Sequence, residues 1–107
     1  MKKIYLFCSA GMSTSMLANL MQKVADEHKI PVEIQAFADN KIGQIIEEKH
    51  PDVILLGPQV KFRYDEIVRL YGHTGIPIQV IDAGDYGMMK GDKVLKTAIQ
   101  LLKANKK

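Results

Sequence analysis

A chain of 107 residues with 47% apolar and 25% charged side chains, and a net charge of +3 with histidine neutral, has the makeup of one compact globular domain spanning 1–107. Its apolar runs reach about four or five residues, against the ~20 that a membrane-spanning helix needs, and Met1-Lys2-Lys3 leads straight into a strand rather than a signal-peptide core, so a cytoplasmic protein is expected. A single cysteine excludes an intrachain disulfide, a zinc ribbon and a Cys-x-x-Cys redox motif, and the terminal lysines come without the aromatic interleaving or motif of a nucleic-acid binder.

Short apolar runs alternate four times with helical periodicity, the pattern of an α/β domain on a parallel sheet. The first strand is expected over Ile4–Phe7 and delivers Cys8 into a loop, Ser9 to Ser15, that opens a helix. In that helix Leu17, Leu20, Met21 and Val24 recur at i, i+3, i+4, i+7, ending near Lys29 before Pro31, with the methionines as core filler. A second strand, Val32–Ala36, is followed by Asp39 or Asn40 as the cap of a helix with Ile42, Ile45 and Ile46 on one face, Lys49 near its end and Pro51 beyond. A third strand, Val53–Leu56, leads through Gly57-Pro58-Gln59 into a helix that carries Phe62, Ile67 and Leu70 inward and stops at Gly72. After a fourth strand, Ile78–Ile81, the acids Asp82 and Asp85 read as turn or capping residues. Asp92 then caps a last helix with Leu95, Ala98, Ile99 and Leu102 on one face.

Fully buried parallel strands read as unbroken apolar runs, whereas edge strands tolerate polar residues. Ile4–Phe7 and Val53–Leu56 are unbroken; Val32-Glu33-Ile34-Gln35-Ala36 alternates and Ile78-Gln79-Val80 is interrupted. The order is therefore 2-1-3-4, with the reversal between strands 1 and 3. Ligands of open α/β sheets bind beyond the strand C-termini at such a reversal, so the Cys8 loop and Gly57-Pro58-Gln59 share one crevice.

The residue types in the first loop suit an anion. Ala10, Gly11 and Met12 leave backbone N–H groups unobstructed, with Gly11 allowing close approach. Ser9, Ser13, Thr14 and Ser15 offer hydroxyls that bind phosphoryl oxygens or shape the turn, Ser13 or Thr14 capping the helix, and the helix adds orphan amides and its positive dipole end. A cysteine at a helix start is acidified and becomes a nucleophile, so Cys8 is the candidate reacting group, against the plainer role of a buried thiol as a small hydrophobe. The loop lacks the Gly-x-x-x-x-Gly-Lys-[Ser/Thr] and Gly-x-Gly-x-x-Gly patterns, so no nucleotide-type cofactor is implied. Its nearest pattern is the tyrosine phosphatase loop, Cys-x5-Arg-[Ser/Thr], with Thr14 at the arginine position. Without a guanidinium to clamp the oxygens, attack by water loses its main support, and the loop suits a retained phosphocysteine.

In-line transfer needs donor, phosphorus and acceptor to align at Cys8, so a shallow surface site rather than a deep pocket is expected, bordered by Met12 and by Lys61, Arg63 or Tyr64, unless these form a solvated helix face. His28, His50 and His73 each sit near a predicted helix end without ligand spacing, which argues for no metal site.

Cys8-Ser9-Ala10-Gly11-Met12-Ser13-Thr14-Ser15, Leu55-Leu56-Gly57-Pro58-Gln59 and Tyr86-Gly87 together resemble the IIB component of bacterial sugar phosphotransferase systems, lactose/cellobiose/chitobiose branch, over nearly the whole chain. The resemblance implies a four-stranded parallel sheet similar to that of low-molecular-weight phosphatases. It implies that Cys8 accepts a phosphoryl group from a phosphohistidine of a IIA protein and hands it to a sugar, a β-linked disaccharide such as cellobiose, chitobiose or lactose, held by a membrane IIC permease. Ser9 to Ser15 then form the phosphate-binding loop, and Gly57, Pro58, Gln59 and Tyr86 lie near the site or the partner surface. The rival readings are a phosphatase or arsenate reductase of the same architecture, which lack here an arginine and further cysteines respectively, and an anion-binding module, which has no need of the thiol.

Overall fold

Strands without an interior polar residue take the centre of the sheet. In the computed structural model, which describes residues 1–9 and 11–104 with the side chains of 11–13 set aside, β1 (Lys2–Cys8) and β3 (Val53–Leu56) lie side by side. β2 (Val32–Ala38) flanks β1 and β4 (Ile78–Val80) flanks β3, all parallel, in the order β2-β1-β3-β4 expected from strand composition. Every residue of β3, and of β1 from Ile4 to Cys8, is buried, whereas β2 and β4 carry exposed positions.

Alternation of side chains across the strands divides the core in two. Ile4, Leu6, Val53 and Leu55 turn to one face, packing with Leu17, Met21, Leu95 and Ala98 of helices α1 (Gly11–Glu27) and α5 (Gly91–Ala104). Tyr5, Phe7, Ile54 and Leu56 turn to the other, against Ile42, Ile45 and Ile46 of α2 (Ile42–Lys49) and Ile67 of α3 (Tyr64–Tyr71). Cys8 has the parity of Ile4 and Leu6. No helix among the described residues is long and apolar enough to cross a membrane.

Several local expectations are corrected. The inward stripe of α1 is Thr14, Leu17, Ala18, Met21 and Ala25, while Leu20 is 39% exposed and Met16 also reaches solvent. The cause is the close approach of α5: a Cβ on Gly91 would lie 3.0 Å from Leu20 Cβ and 3.1 Å from Met21 N, so Leu20 overhangs the seam instead of entering it. Asp39 and Asn40 belong to a 3₁₀ turn, Asp39–Lys41, that makes no side-chain cap bond, and no such bond begins α2. After β3 the single expected helix gives way to a 3₁₀ segment, Pro58–Arg63, interrupted within by Val60 at a non-helical φ of −115°, and then to α3. That break shifts the phase. Val60 becomes the buried residue, Phe62 stands 78% exposed and Leu70 43% exposed. α5 begins two residues early, so Asp92 sits inside its first turn, where its charge suits the helix dipole; Leu95 and Ala98 are buried but Ile99 and Leu102 only half-buried. Between β4 and α5 a short helix, α4 (Ala83–Gly87), takes the place of a turn, and Asp82 caps it by accepting a 3.0 Å hydrogen bond from Asp85 N–H.

One side chain finishes the β2 edge. Lys2 N–H donates to Pro31 O, so the odd-numbered residues of β2 face β1 and the groups of Val32 and Ile34 point outward. Gln22 of α1 reaches that outer edge, donating to Val32 O at 3.0 Å and accepting from Ile34 N–H at 2.8 Å.

Candidate functional site

The C-terminal ends of the four strands meet at one level. Cys8 closes β1 in register with Ala38 of β2; Gly57 N–H donates to Phe7 O at 2.8 Å, and Ile81 N–H donates to Leu56 O at 2.8 Å. The sheet order reverses between β1 and β3, so the Cys8 and Gly57 segments border the same crevice, as the sequence anticipates. The approach is tight. A Cβ on Gly57 would lie 3.1 Å from Cys8 Cβ and 2.6 Å from Gln59 Oε1, so glycine lets the second loop close on the cysteine and Gln59 fold back over it. Gly57 is buried, Pro58 half-buried and Gln59 exposed.

Cys8 has no exposed surface. The expectation of a shallow, open thiol is therefore not met: the residue that ends a strand buried from Ile4 onward is itself buried, with Gly57 against its Cβ. Helix α1 starts at Gly11, three residues on, which bounds its first Cα to within ~11 Å of that of Cys8. The first four amides of a helix have no intrahelical acceptor and carry the positive dipole end. Its start at Gly11 also places Ser13 and Thr14 inside the first turn rather than at the cap.

The loop residues fare differently. Ala10 lies outside the described residues, as do the side chains of Gly11, Met12 and Ser13. Ser9 and Ser15 are exposed, Ser15 in a shallow groove with Asn19 and Gln35 on the β2 side. Thr14 is wholly buried, and its Oγ1 lies 2.8 Å from the hydroxyl of Tyr86, itself only 8% exposed. Seventy-two positions apart, these two hydroxyls tie the first turn of α1 to α4. No local pattern announces that contact.

On the opposite flank Arg63 spans two segments, pairing with Asp39 after β2 and with Glu66 of α3 at 3.2 Å. The Asp39 carboxylate, aided by Glu66, raises the guanidinium above its ordinary pKa despite the opposing effect of burial. Arg63 and Tyr64 are thus half-buried, leaving Lys61 and Phe62 as the exposed residues of that stretch. His28 follows α1, His50 closes α2 with a left-handed φ of 50°, and His73 lies in the 3₁₀ turn after α3; all three are exposed.

Comparison with known proteins decides what this crevice belongs to. Residues 3–97 match the family model described as the PTS system lactose/cellobiose-specific IIB subunit. The chain belongs to that family. The galactose-specific EIIB component of Lactococcus lactis subsp. cremoris is 45% identical, with 94% of this chain and 96% of the relative covered. The oligo-beta-mannoside-specific EIIB component of Bacillus subtilis is 36% identical, with 95% and 97% covered. Among solved structures, the cellobiose-specific IIB component of Borrelia burgdorferi superposes with a TM-score of 0.80 at 38% identity, covering 97% of this chain and 94% of that one. As a IIB family member the chain is a sugar-specific component of a phosphotransferase system.

Proposed function

We propose that Cys8 is the phosphocysteine of this IIB chain: it accepts a phosphoryl group from a phosphohistidine on a IIA protein and transfers it to a sugar held by a membrane IIC permease. The observation that carries the reading is the position of the chain's one cysteine, at the end of a central strand, beside the sheet's order reversal and three residues before a helix N-terminus. Such a terminus supplies amide donors and a positive field for transferred phosphoryl oxygens without a metal or cofactor. The sulfur attacks phosphorus as the histidine nitrogen leaves. In the second step a sugar hydroxyl attacks, and the thiolate is the leaving group.

The identities of relatives support the wider assignment. A lactose-specific EIICB component of Staphylococcus aureus is 28% identical over 78% of this chain, which spans 14% of its length, and its name joins a IIB part to a IIC part. Other relatives are named for galactose, cellobiose and oligo-beta-mannoside, in keeping with a β-linked disaccharide such as cellobiose, chitobiose or lactose as the sugar here. Residues 1–107 act as one IIB domain in the cytoplasm, meeting the permease transiently. Ser9 to Ser15 hold the phosphoryl group, and Gly57, Pro58 and Gln59 border it.

Burial of Cys8 adds a requirement: the sulfur must be uncovered at the C-terminal edge of the sheet when a partner docks. The test supplies phosphoenolpyruvate, enzyme I, HPr and a cognate IIA protein and maps labelled phosphate on the chain. Label is expected on Cys8 and is expected to vanish in Cys8→Ser; label at another residue, or label that survives the substitution, overturns the reading.

A further inference from the structure

We infer that Tyr86 is a positioning residue for phosphoryl transfer at Cys8, acting through Thr14 to fix the first turn of α1. The inference rests on the proposed role of Cys8 and adds a residue that the loop motif does not contain. Thr14 is the fourth residue of α1, so its turn is the one whose four N–H groups lack intrahelical acceptors. A threonine inside a helix ordinarily turns its hydroxyl to the carbonyl four residues back, and a buried hydroxyl without a partner is costly. Here a phenol from α4 lies 2.8 Å from the hydroxyl.

The backbone that carries the phenol is itself anchored. Tyr86 N–H donates to Asp82 O at 2.9 Å, Met89 N–H donates to Tyr86 O at 3.1 Å, and the Asp82 side chain caps α4. Asp82 follows Ile81, whose N–H is bonded to Leu56 at the end of β3. A chain of hydrogen bonds thus runs from the strand ends at the crevice, through α4, to the turn behind Cys8. Among the described residues no buried side-chain oxygen or nitrogen lacks a partner, and removing the phenol oxygen takes from wholly buried Thr14 the partner it has on α4. Thr14 also stands where a phosphatase loop places its arginine. At that position this chain has a hydroxyl that secures the loop's own helix, with a second residue, far away in sequence, completing the device. Transfer chemistry depends on amides held where charge develops, so a loosened first turn lowers the maximal rate more than the affinity for the donor protein.

The experiment follows single-turnover transfer from phosphorylated IIA protein to the full chain, for the unaltered protein, Tyr86→Phe, Thr14→Val, Thr14→Ser and the Tyr86→Phe/Thr14→Val pair, with thermal unfolding of each. Tyr86→Phe is expected to slow the maximal rate about tenfold, the equivalent of one hydrogen bond, with the half-saturating IIA concentration unchanged. Thr14→Val is expected to match it, the double variant to be no slower than either, and Thr14→Ser, which keeps the hydroxyl, to retain the rate. A Tyr86→Phe rate within twofold of the unaltered chain, a loss confined to half-saturation, additive losses in the double variant, or recovery of the full rate on cooling below the variant's unfolding transition would each overturn the inference. Absence of phosphate from Cys8 in the unaltered chain would overturn the proposed function itself, and the inference with it.

Discussion

On the α1/α5 face of the sheet, helices of 17 and 14 residues meet so closely that Gly91 abuts the backbone of Leu20 and Met21. On the α2/α3 face, helices of eight residues each adjoin 3₁₀ turns and pack their isoleucines on the sheet, whose rings meet one another, Phe37 meeting Tyr5 edge-on at 5.0 Å and stacking on Phe7 at 5.6 Å. The first face is a seam of backbones with little room to adjust; the second is built of side chains that can turn. The parity of Cys8 puts it on the first, where Thr14 and Tyr86 also lie, while exposed Phe62 and Lys61 project from the segment serving the second. The surroundings of Cys8 and the exposed Lys61–Phe62 pair thereby lie on opposite sides of one sheet.

Substitutions that add a methyl group at the helix contacts break this contrast most directly. Gly91→Ala drives α5 from α1 by a few tenths of an ångström and is expected to cost about 1–3 kcal/mol, read as a lowered urea midpoint. A loss below about 0.5 kcal/mol would mean that the seam yields as readily as the other face.

Tyr5→Phe probes the ring-packed face. It removes the 2.6 Å bond from the phenol to Glu33 and is expected to cost about 1 kcal/mol near neutral pH. Burial first, then Glu33, holds this phenol above its ordinary pKa. Above pH ~10 the unfolded phenol therefore ionises while the folded one does not, the unfolded chain binds fewer protons, and stability falls by up to ~1.4 kcal/mol per pH unit. Tyr5→Phe should lack that component of the alkaline fall, so the two stability curves converge as pH rises; parallel curves in urea titrations between pH 9 and ~11 would contradict the assignment.

A smaller effect is expected at the clasp between the β2 and β3 exits. Asp39→Asn breaks an ion pair whose side chains are 26% and 18% exposed, so a loss of about 0.5 kcal/mol is expected, shrinking in high salt; a salt-independent loss would point to packing instead. The smallest belongs to Gly43→Ala in α2. Its new methyl group would meet the hydroxyl of Tyr71 at 2.6 Å, the far end of a half-buried ring that can swing away, and alanine favours the helix. Its midpoint should stay within about 1 kcal/mol of the unaltered protein, and a loss equal to that of Gly91→Ala would erase the distinction between the faces.

Strand order was legible because burial leaves a direct trace in composition: Ile4–Phe7 and Val53–Leu56 could only be central, and from that order the meeting of Cys8 with Gly57 followed. Ile42, Ile45 and Ile46 fell on one face because α2 is regular over that stretch. Periodicity misled where regularity ends. An unbroken helical phase turns Phe62 inward, but Val60 interrupts it, and the stripe that turns Leu20 inward takes no account of a glycine 71 positions later pressing on the same turn. The candidate site divides in the same way. The cysteine, the small-residue loop and the glycine beside it are local signals, whereas the partnership of Thr14 with Tyr86 depends on where the fold carries α4.

Gln22 has a consequence for how molecules of this protein behave toward one another. At seven residues β2 is the longer of the two outer strands, β4 having three, and is the edge better able to template an incoming strand from a second molecule. The Gln22 amide already occupies both groups of one rung there. A would-be extra strand must first evict it, so accretion of sheets into larger assemblies is discouraged by a residue on a neighbouring helix.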